Sequence, residues 1–316
     1  MQKRNVLNSS RLLELKKQRR KVVIDKILIL FFGIVVILIL LAYLSRINTL
    51  NISKVEVSGN QVVDTEAIQA VATEQMSGKY LWIFPKTNVF LYPKNAIINQ
   101  LQGKFKRLED INLSIKNNKT LEISLAERKA LYTWCGITPP SETDVGTPSG
   151  SPTSATDCYF IDENGYIFDK APYFSGDVYF KFYGAPDVGQ RKFSSCGASL
   201  DPSGCYFSKN YIKQLVSFRD ILVGFDLKPV AMYVTNDGDV QVFLSKGNSS
   251  AIGPQIILKI NDDYQNVAEN LEAALTTDPL KTEFKNKYSS LLYIDLRCGN
   301  KVYYKFATPL VQAATK

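Results

Sequence analysis

Residues 27–44 read ILILFFGIVVILILLAYL, an apolar run without a single charge, and its reading decides what the rest of the chain can be. As a helix this run, about 20 residues if 22–24 are counted with it, is long enough for a hydrocarbon core of roughly 30 Å. A cleavable signal peptide has a shorter apolar region, about 7 to 15 residues, followed by a small-x-small cleavage site. Here Leu44-Ser45-Arg46 follows, so the run reads as an uncleaved anchor. The expected layout is a basic tail over 1–26, a transmembrane helix over 27–44 and a large body beyond.

Charge sets the orientation. Lys3, Arg4, Arg11, Lys16, Lys17, Arg19, Arg20, Lys21 and Lys26 precede the run against Glu14 and Asp25, while the stretch beyond it opens with only Arg46 and Lys54. The positive-inside rule puts the basic segment in the cytoplasm and the body outside. The tail holds +7 of the net charge of +8, so the body lacks the basic footprint of a nucleic-acid binder. The tail's own lysines and arginines read as a topology signal lying on anionic lipid.

The body, roughly 270 residues, suggests two domains at about 100 to 150 residues each. The chain has no histidine, which excludes His-dependent triads and the usual His-containing zinc sites. Its five cysteines (Cys135, Cys158, Cys196, Cys205 and Cys298) allow two disulfides and a leftover thiol in an oxidising compartment.

After the run, Ile52, Val55 and Val57 lead to Gly59-Asn60, a short strand ended by a turn. Asp64 or Thr65 can cap a helix carrying Ile68, Val71, Ala72 and Met76 at helical spacing before Gly78. Beyond the run Tyr80-Leu81-Trp82-Ile83-Phe84-Pro85, Pro93 sits where a first helical residue would be, and Ile97, Ile98 and Leu101 mark a second helix. Ile111, Leu113, Ile115 and then Leu121, Ile123, Leu125 alternate on either side of Asn117-Asn118-Lys119, a hairpin with one buried face.

The second part opens on Trp134-Cys135 and a Ser/Thr/Pro/Gly-rich segment over 137–157, too poor in apolar residues to offset its ordering entropy and expected to be a flexible loop. Cys135 and Cys158 at its ends would pair if 131–134 and 159–161 are neighbouring strands, with reduced buried thiols as the alternative. Asn164-Gly165 signals a hairpin between Tyr159-Phe160-Ile161 and Tyr166-Ile167-Phe168. Adjacent Asp162 and Glu163 point to opposite faces and serve the turn, not a shared proton.

A strand is expected over 178–183. Cys196 and Cys205 bracket GASLDPSG, where a local disulfide is favoured over a redox pair because C-x-x-C spacing is absent. Residues 207–222 read as an amphipathic helix ahead of Gly224, and Val230 to Val234 with Val240, Val242 and Leu244 as a hairpin around Asn236-Asp237-Gly238. A strand over 256–260 precedes a helix capped at Asp262 or Asp263 that carries Tyr264, Val267, Ala268, Leu271 and Leu275. Two strand-like halves over 292–306 then hinge at Gly299-Asn300. In the last half Val302, Tyr304 and Phe306 face the core side, and Lys301, Tyr303 and Lys305 face the other.

The order strand, helix, helix, strand, strand beside a single anchor resembles a POTRA domain. Val57-Ser58-Gly59-Asn60 looks like the V-x-GN that ends that family's first strand. Leu125-Ala126-Glu127-Arg128-Lys129 looks like the V-x-ER-x-P that ends its last, with Lys129 or Ala130 where proline is usual. With "YFIDENGYIF", "DGDVQVFL" and the terminal "YIDLR-x-GNKVYYK" in the same order, residues 22–306 are similar to the bacterial cell-division family FtsQ, called DivIB in other lineages. The Ser/Thr/Pro insert, the 196–205 loop and Cys298, where an aromatic is common, depart from it; Cys298 reads as a small buried hydrophobe, with a cross-link to a partner as the alternative.

The resemblance implies an α+β protein: a single N-terminal transmembrane helix, a POTRA (β-α-α-β-β) domain over 51–128, and a mixed β-sheet domain with flanking helices over 129–306, followed by a tail over 307–316. It implies a type II plasma-membrane protein at the division septum, non-catalytic and without cofactor, that binds FtsB/FtsL-type or DivIC-type coiled-coil proteins and other divisome membrane proteins. The partner-binding residues would be Arg297, Lys301, Tyr303 and Lys305 on a C-terminal edge strand, open to strand addition. A hydrolase would need a nucleophile with its base, and no serine lies in a nucleophile-elbow context. An anchored surface or adhesion protein unrelated to division is the competing class.

Overall fold

The computed structural model describes residues 10–140, 157–172, 178–187, 202–247 and 251–307, with side chains from residue 17. Most of the expected loop 137–157, together with Cys196 and nearly all of the tail 307–316, lies outside the described residues. The fold is mixed α+β and divides into two compact units, 1–127 and 128–316.

The first unit opens on α1 (Ser10–Ser45), 36 residues, about 54 Å long at 1.5 Å per residue. It is long and apolar enough to cross a membrane. Ile29, Leu30, Phe31 and Phe32, four consecutive residues pointing in four directions, are all exposed. A helix apolar on every side and uncovered by protein has the composition of a span, not of an amphipathic surface helix. Its last carbonyls need partners, and the amides of Asn51 and Asn88 each donate to the Ser45 carbonyl at 3.1 Å.

Then come β1 (Lys54–Ser58), α2 (Thr65–Met76), the short pair β2 (Lys79–Tyr80) and β3 (Phe84–Pro85), α3 (Lys94–Lys104), β4 (Leu108–Lys116) and β5 (Thr120–Glu127). The sheet order is β1-β5-β4, β1 parallel to β5 and β4 antiparallel to it. Asp64 caps α2 by accepting from the Ala67 N–H at 3.1 Å. Ile68, Val71 and Met76 of α2 and Ile97 and Leu101 of α3 are buried with Leu113, Leu121 and Ile123 of the sheet. Pro93 occupies the cap position of α3, one residue before the helix. The β2–β3 pair was not expected: its strands are two residues each, below what periodicity can show.

One end of this sheet gathers residues far apart in sequence. Gly59 has φ +95°, and a Cβ there would sit 1.9 Å from the Leu125 carbonyl oxygen on β5, so only glycine fits. Next to it, Asn60 donates to the Val63 carbonyl and the Thr65 hydroxyl at 2.8 and 2.9 Å. Glu127 reaches back from β5 and accepts from the N–H groups of Gln61, Val62 and Val63 at 2.8, 3.0 and 2.9 Å.

The second unit is built on nine strands among the described residues, in the order β14-β13-β12-β11-β10-β9-β6-β7-β8. They are β6 (Tyr132–Trp134), β7 (Tyr159–Ile161), β8 (Ile167–Lys170), β9 (Lys181–Gly184), β10 (Pro229–Val234), β11 (Asp239–Ser245), β12 (Ile252–Lys259), β13 (Leu291–Cys298) and β14 (Lys301–Phe306). Helix α4 (Ile212–Gly224) connects the parallel pair β9/β10; α5 (Tyr264–Thr276) and α6 (Leu280–Lys287) connect the parallel pair β12/β13. Parallel neighbours need such crossovers. Leu215, Phe218 and Leu222 of α4 and Val267 and Leu271 of α5 share one core with Met232, Val242, Ile256, Leu258 and Ile294 of the sheet.

Five expectations shift here. Helix α4 begins at Ile212, not near Phe207, because Ser208 has φ +46° and the Phe207 N–H is bonded to the Gly165 carbonyl at 2.8 Å. Strand β9 is shorter than expected, while β12 starts earlier, at Ile252. Helix α6 was not anticipated. Cys298 is exposed, not buried: it lies at the end of β13, beyond the last core residue, Leu296.

Candidate functional site

The C-terminal hairpin supplies the surface to be weighed. Strand β14 pairs antiparallel with β13, setting Ile294 opposite Tyr304, Asp295 opposite Tyr303 and Tyr293 opposite Lys305. Side chains alternate across a strand. Val302, Tyr304 and Phe306 pack against the main core, with the Tyr304 and Phe306 rings 5.8 Å apart, edge to face. Lys301, Tyr303 and Lys305 are exposed, Tyr303 by 51%.

The two edges of the sheet are treated differently. At β8 the outer side is covered: the Ile167 N–H donates to the Cys205 carbonyl at 2.8 Å, and the Gly204 N–H donates to the Ile167 carbonyl at 2.7 Å. At the other edge, among the described residues, β14 has β13 as its sole strand neighbour. An uncovered edge presents unpaired N–H and C=O groups, and lysines on it deter indiscriminate pairing.

Of the four residues expected to bind a partner, the structure keeps three together on this edge. Arg297 lies on the neighbouring strand β13, two residues from Asp295, which stands opposite Tyr303. Its guanidinium is bound to Asp295 at 2.6 Å and, across β12, to Asp239 on β11 at 2.5 Å. The hydrogen bonds from Arg297 hold the Asp295 carboxyl below the usual range, against a burial that pushes it up, and the two carboxylates raise Arg297 in turn. Arg297 therefore fixes β13 to β11. The charge left over at the edge comes from Lys301 and Lys305. The Arg297 network was missed in the sequence; Asp295 and Arg297, two residues apart on one strand face, carried a signal that could have shown their pairing, and Asp239 carried none.

Support comes from behind. The Asn270 amide on α5 donates to the Gly299 carbonyl in the hairpin turn at 3.4 Å. Tyr288, after α6, donates its hydroxyl proton to the Ser245 carbonyl at 2.7 Å, and burial pushes its pKa up to about 12.

Cys135 and Cys158 form a disulfide, with Cα atoms 4.1 Å apart. Trp134 and Tyr159 are paired in register on β6 and β7, which brings the next residues out face to face. Cys205 is buried and disulfide-bonded; Cys196 lies outside the described residues. Asp162 is a structural anion: it accepts from the Asn164 and Tyr166 N–H groups at 2.8 and 2.9 Å and pairs with Arg128 at 2.6 Å. Among the described residues no cluster of three His, Cys, Asp or Glu side chains could hold a metal ion. No family model matches the chain, and no curated protein matches it.

Proposed function

We propose that this chain is a non-catalytic, single-span scaffold of FtsQ/DivIB type. In this reading α1 anchors it in the plasma membrane with the basic segment in the cytoplasm, the first unit is a POTRA domain, and the second docks FtsB/FtsL-type or DivIC-type partners at the septum. The observation that carries the docking step is the edge strand β14, which among the described residues has β13 as its sole strand neighbour, with Tyr303 exposed between two lysines, while at the opposite edge Ile167 is bonded to Gly204 and Cys205. A partner strand with acidic residues would satisfy the backbone groups and the lysines at once, around an aromatic anchor.

Two further features support the family reading. Gly59, Asn60 and Glu127, quoted from motifs at opposite ends of the first unit, meet at one corner of it. Arg128, next in the same motif, anchors the hairpin turn at Asp162.

Tyr303→Glu is expected to weaken binding of the source cell's FtsB- or DivIC-like protein by about thirtyfold, corresponding to about 2 kcal/mol. Folding should survive, since Tyr303 is half exposed. Unchanged affinity removes β14 as the site. A fluorescent fusion on the cytoplasmic side tests the division role itself: a band at the septum supports it, and uniform membrane signal from a functional fusion replaces it with the anchored surface-protein class.

A further inference from the structure

The tip of the β2–β3 hairpin has no explanation within the fold. Leu81 and Trp82 have φ of 46° and 63°, a region that bulky side chains avoid and that Gly or Asn would occupy at less cost. Neither residue gains burial there: Trp82 is 92% and Leu81 79% exposed. Nearby in sequence Phe90 is 81% exposed. Three large apolar side chains in water within ten residues mark an interaction surface.

Hydrogen bonds place this surface at the exit of α1. Arg46, one residue past the helix, donates to the Ile83 carbonyl at the hairpin tip at 3.5 Å. Asn88, two residues before Phe90, donates to the carbonyl of Ser45, the last residue of α1, and the Val89 N–H donates to Leu50 at 3.0 Å. Ser45 is itself buried, so the unit begins on the helix end with no intervening stalk. If α1 spans the bilayer, groups bonded to Ser45 and Arg46 lie at the level of the lipid headgroups. Tryptophan and tyrosine concentrate at that level, an apolar body inward and a polar edge outward.

We propose that Leu81, Trp82 and Phe90 form a wedge that enters the phospholipid leaflet from which α1 emerges and holds the first unit against the membrane. The occupant is lipid. The wedge is continuous with the spanning helix, and its collar is basic: Arg46, exposed Lys79 at the hairpin base, and Lys86, whose ammonium lies 5.6 Å from the Tyr80 ring centroid. Such a collar suits anionic headgroups. The proposal rests on α1 being a membrane span but not on which side the body occupies.

The full chain, reconstituted at high dilution into phosphatidylcholine/phosphatidylglycerol vesicles, carries its own reporter. Trp134, the other tryptophan, is buried, and Trp82→Phe isolates its signal. Acyl-chain-brominated lipid is expected to quench most of the Trp82 emission and to leave the Trp134 emission in W82F unchanged, while aqueous iodide quenches neither. If the chain floats with the vesicles but Trp82 is quenched by iodide and not by bromine, the wedge is wrong and the anchor stands. The tip then faces water, a second copy or a protein partner. A chain that does not float overturns the span and the wedge together. Leu81→Asn combined with Trp82→Gly suits the left-handed backbone and preserves the fold; in the proposed arrangement it exposes Phe90 and its neighbours to faster hydrogen exchange on vesicles but not in detergent.

Discussion

Glu127 binds three consecutive backbone N–H groups, a geometry that favours its ionised form. Burial alone would raise its pKa; the donors from Val63, Gln61 and Val62, with Arg107 nearby, outweigh it and hold the carboxyl below its usual range. A group whose folded pKa is depressed adds stability that is complete above its unfolded value, roughly 4.3, and is lost as pH falls through the folded value. The amides of Gln61 to Val63 should therefore exchange faster below that window, and Glu127→Gln should show the faster exchange at neutral pH too. Loss of charge-assisted bonds of this kind costs about 2 kcal/mol. Unchanged protection of those amides in Glu127→Gln would assign the ordering of the loop to Asn60 instead. Asp162 makes a sharper case in the second unit. Asp162 is buried and pairs with the partly buried Arg128, which also stacks 4.1 Å from the Tyr166 ring centroid. Asp162→Ala leaves the partly buried Arg128 without this carboxylate and the Asn164 and Tyr166 N–H groups without their acceptor, and should cost about 2–3 kcal/mol, read as a lowered denaturation midpoint of the detergent-solubilised chain.

At the scale of elements, the disulfide ties β6 to β7 across a sequence separation of 23 residues, and in the chain-entropy account a loop of that size is worth about 3 kcal/mol. Cys135→Ser with Cys158→Ser should lower the thermal midpoint of the second unit and leave exchange in the first unit unchanged; a loss in both would mean that the units do not unfold separately. Elements with a strong period were readable from the sequence: α2, α5 and the β4–β5, β10–β11 and β13–β14 hairpins each pair an apolar rhythm with a turn or cap. Helix α6 was not, because its apolar contacts reduce to Leu280 and Phe284, with Glu283 and Lys287 pairing at 3.1 Å on its surface. Its place is set by the crossover between β12 and β13. The edge character of β14 was expected from its position in the chain. That the β8 edge is covered by residues 204–206 was not, since that pairing joins segments with no shared pattern. The Arg297 network shows the same limit: the i, i+2 spacing of Asp295 and Arg297 offered a signal that went unused, and the half across β12 offered none.

For the whole molecule the distribution of charge and thiols makes a single claim about sidedness. The basic residues before the apolar run favour a cytoplasmic location for that end, and the disulfide at Cys135–Cys158 suits an oxidising compartment for the body. Among the described residues Cys298 is the free cysteine, and it is exposed at the end of β13, so the protein carries a natural probe on the body alone. In intact spheroplasts a membrane-impermeant maleimide should label the chain, and Cys298→Ser should abolish the labelling. Carboxyl-terminal truncation is unnecessary, and no cysteine need be introduced, since the sequence before residue 135 has none. Labelling that appears only after lysis would put the body in the cytoplasm, reverse the orientation inferred from charge and leave the edge strand facing partners of a different compartment. Labelling in intact cells that is blocked when the coiled-coil partner is co-expressed would go further, because Cys298 stands opposite Lys301 in the β13–β14 register and lies at the end of the edge on which docking is proposed.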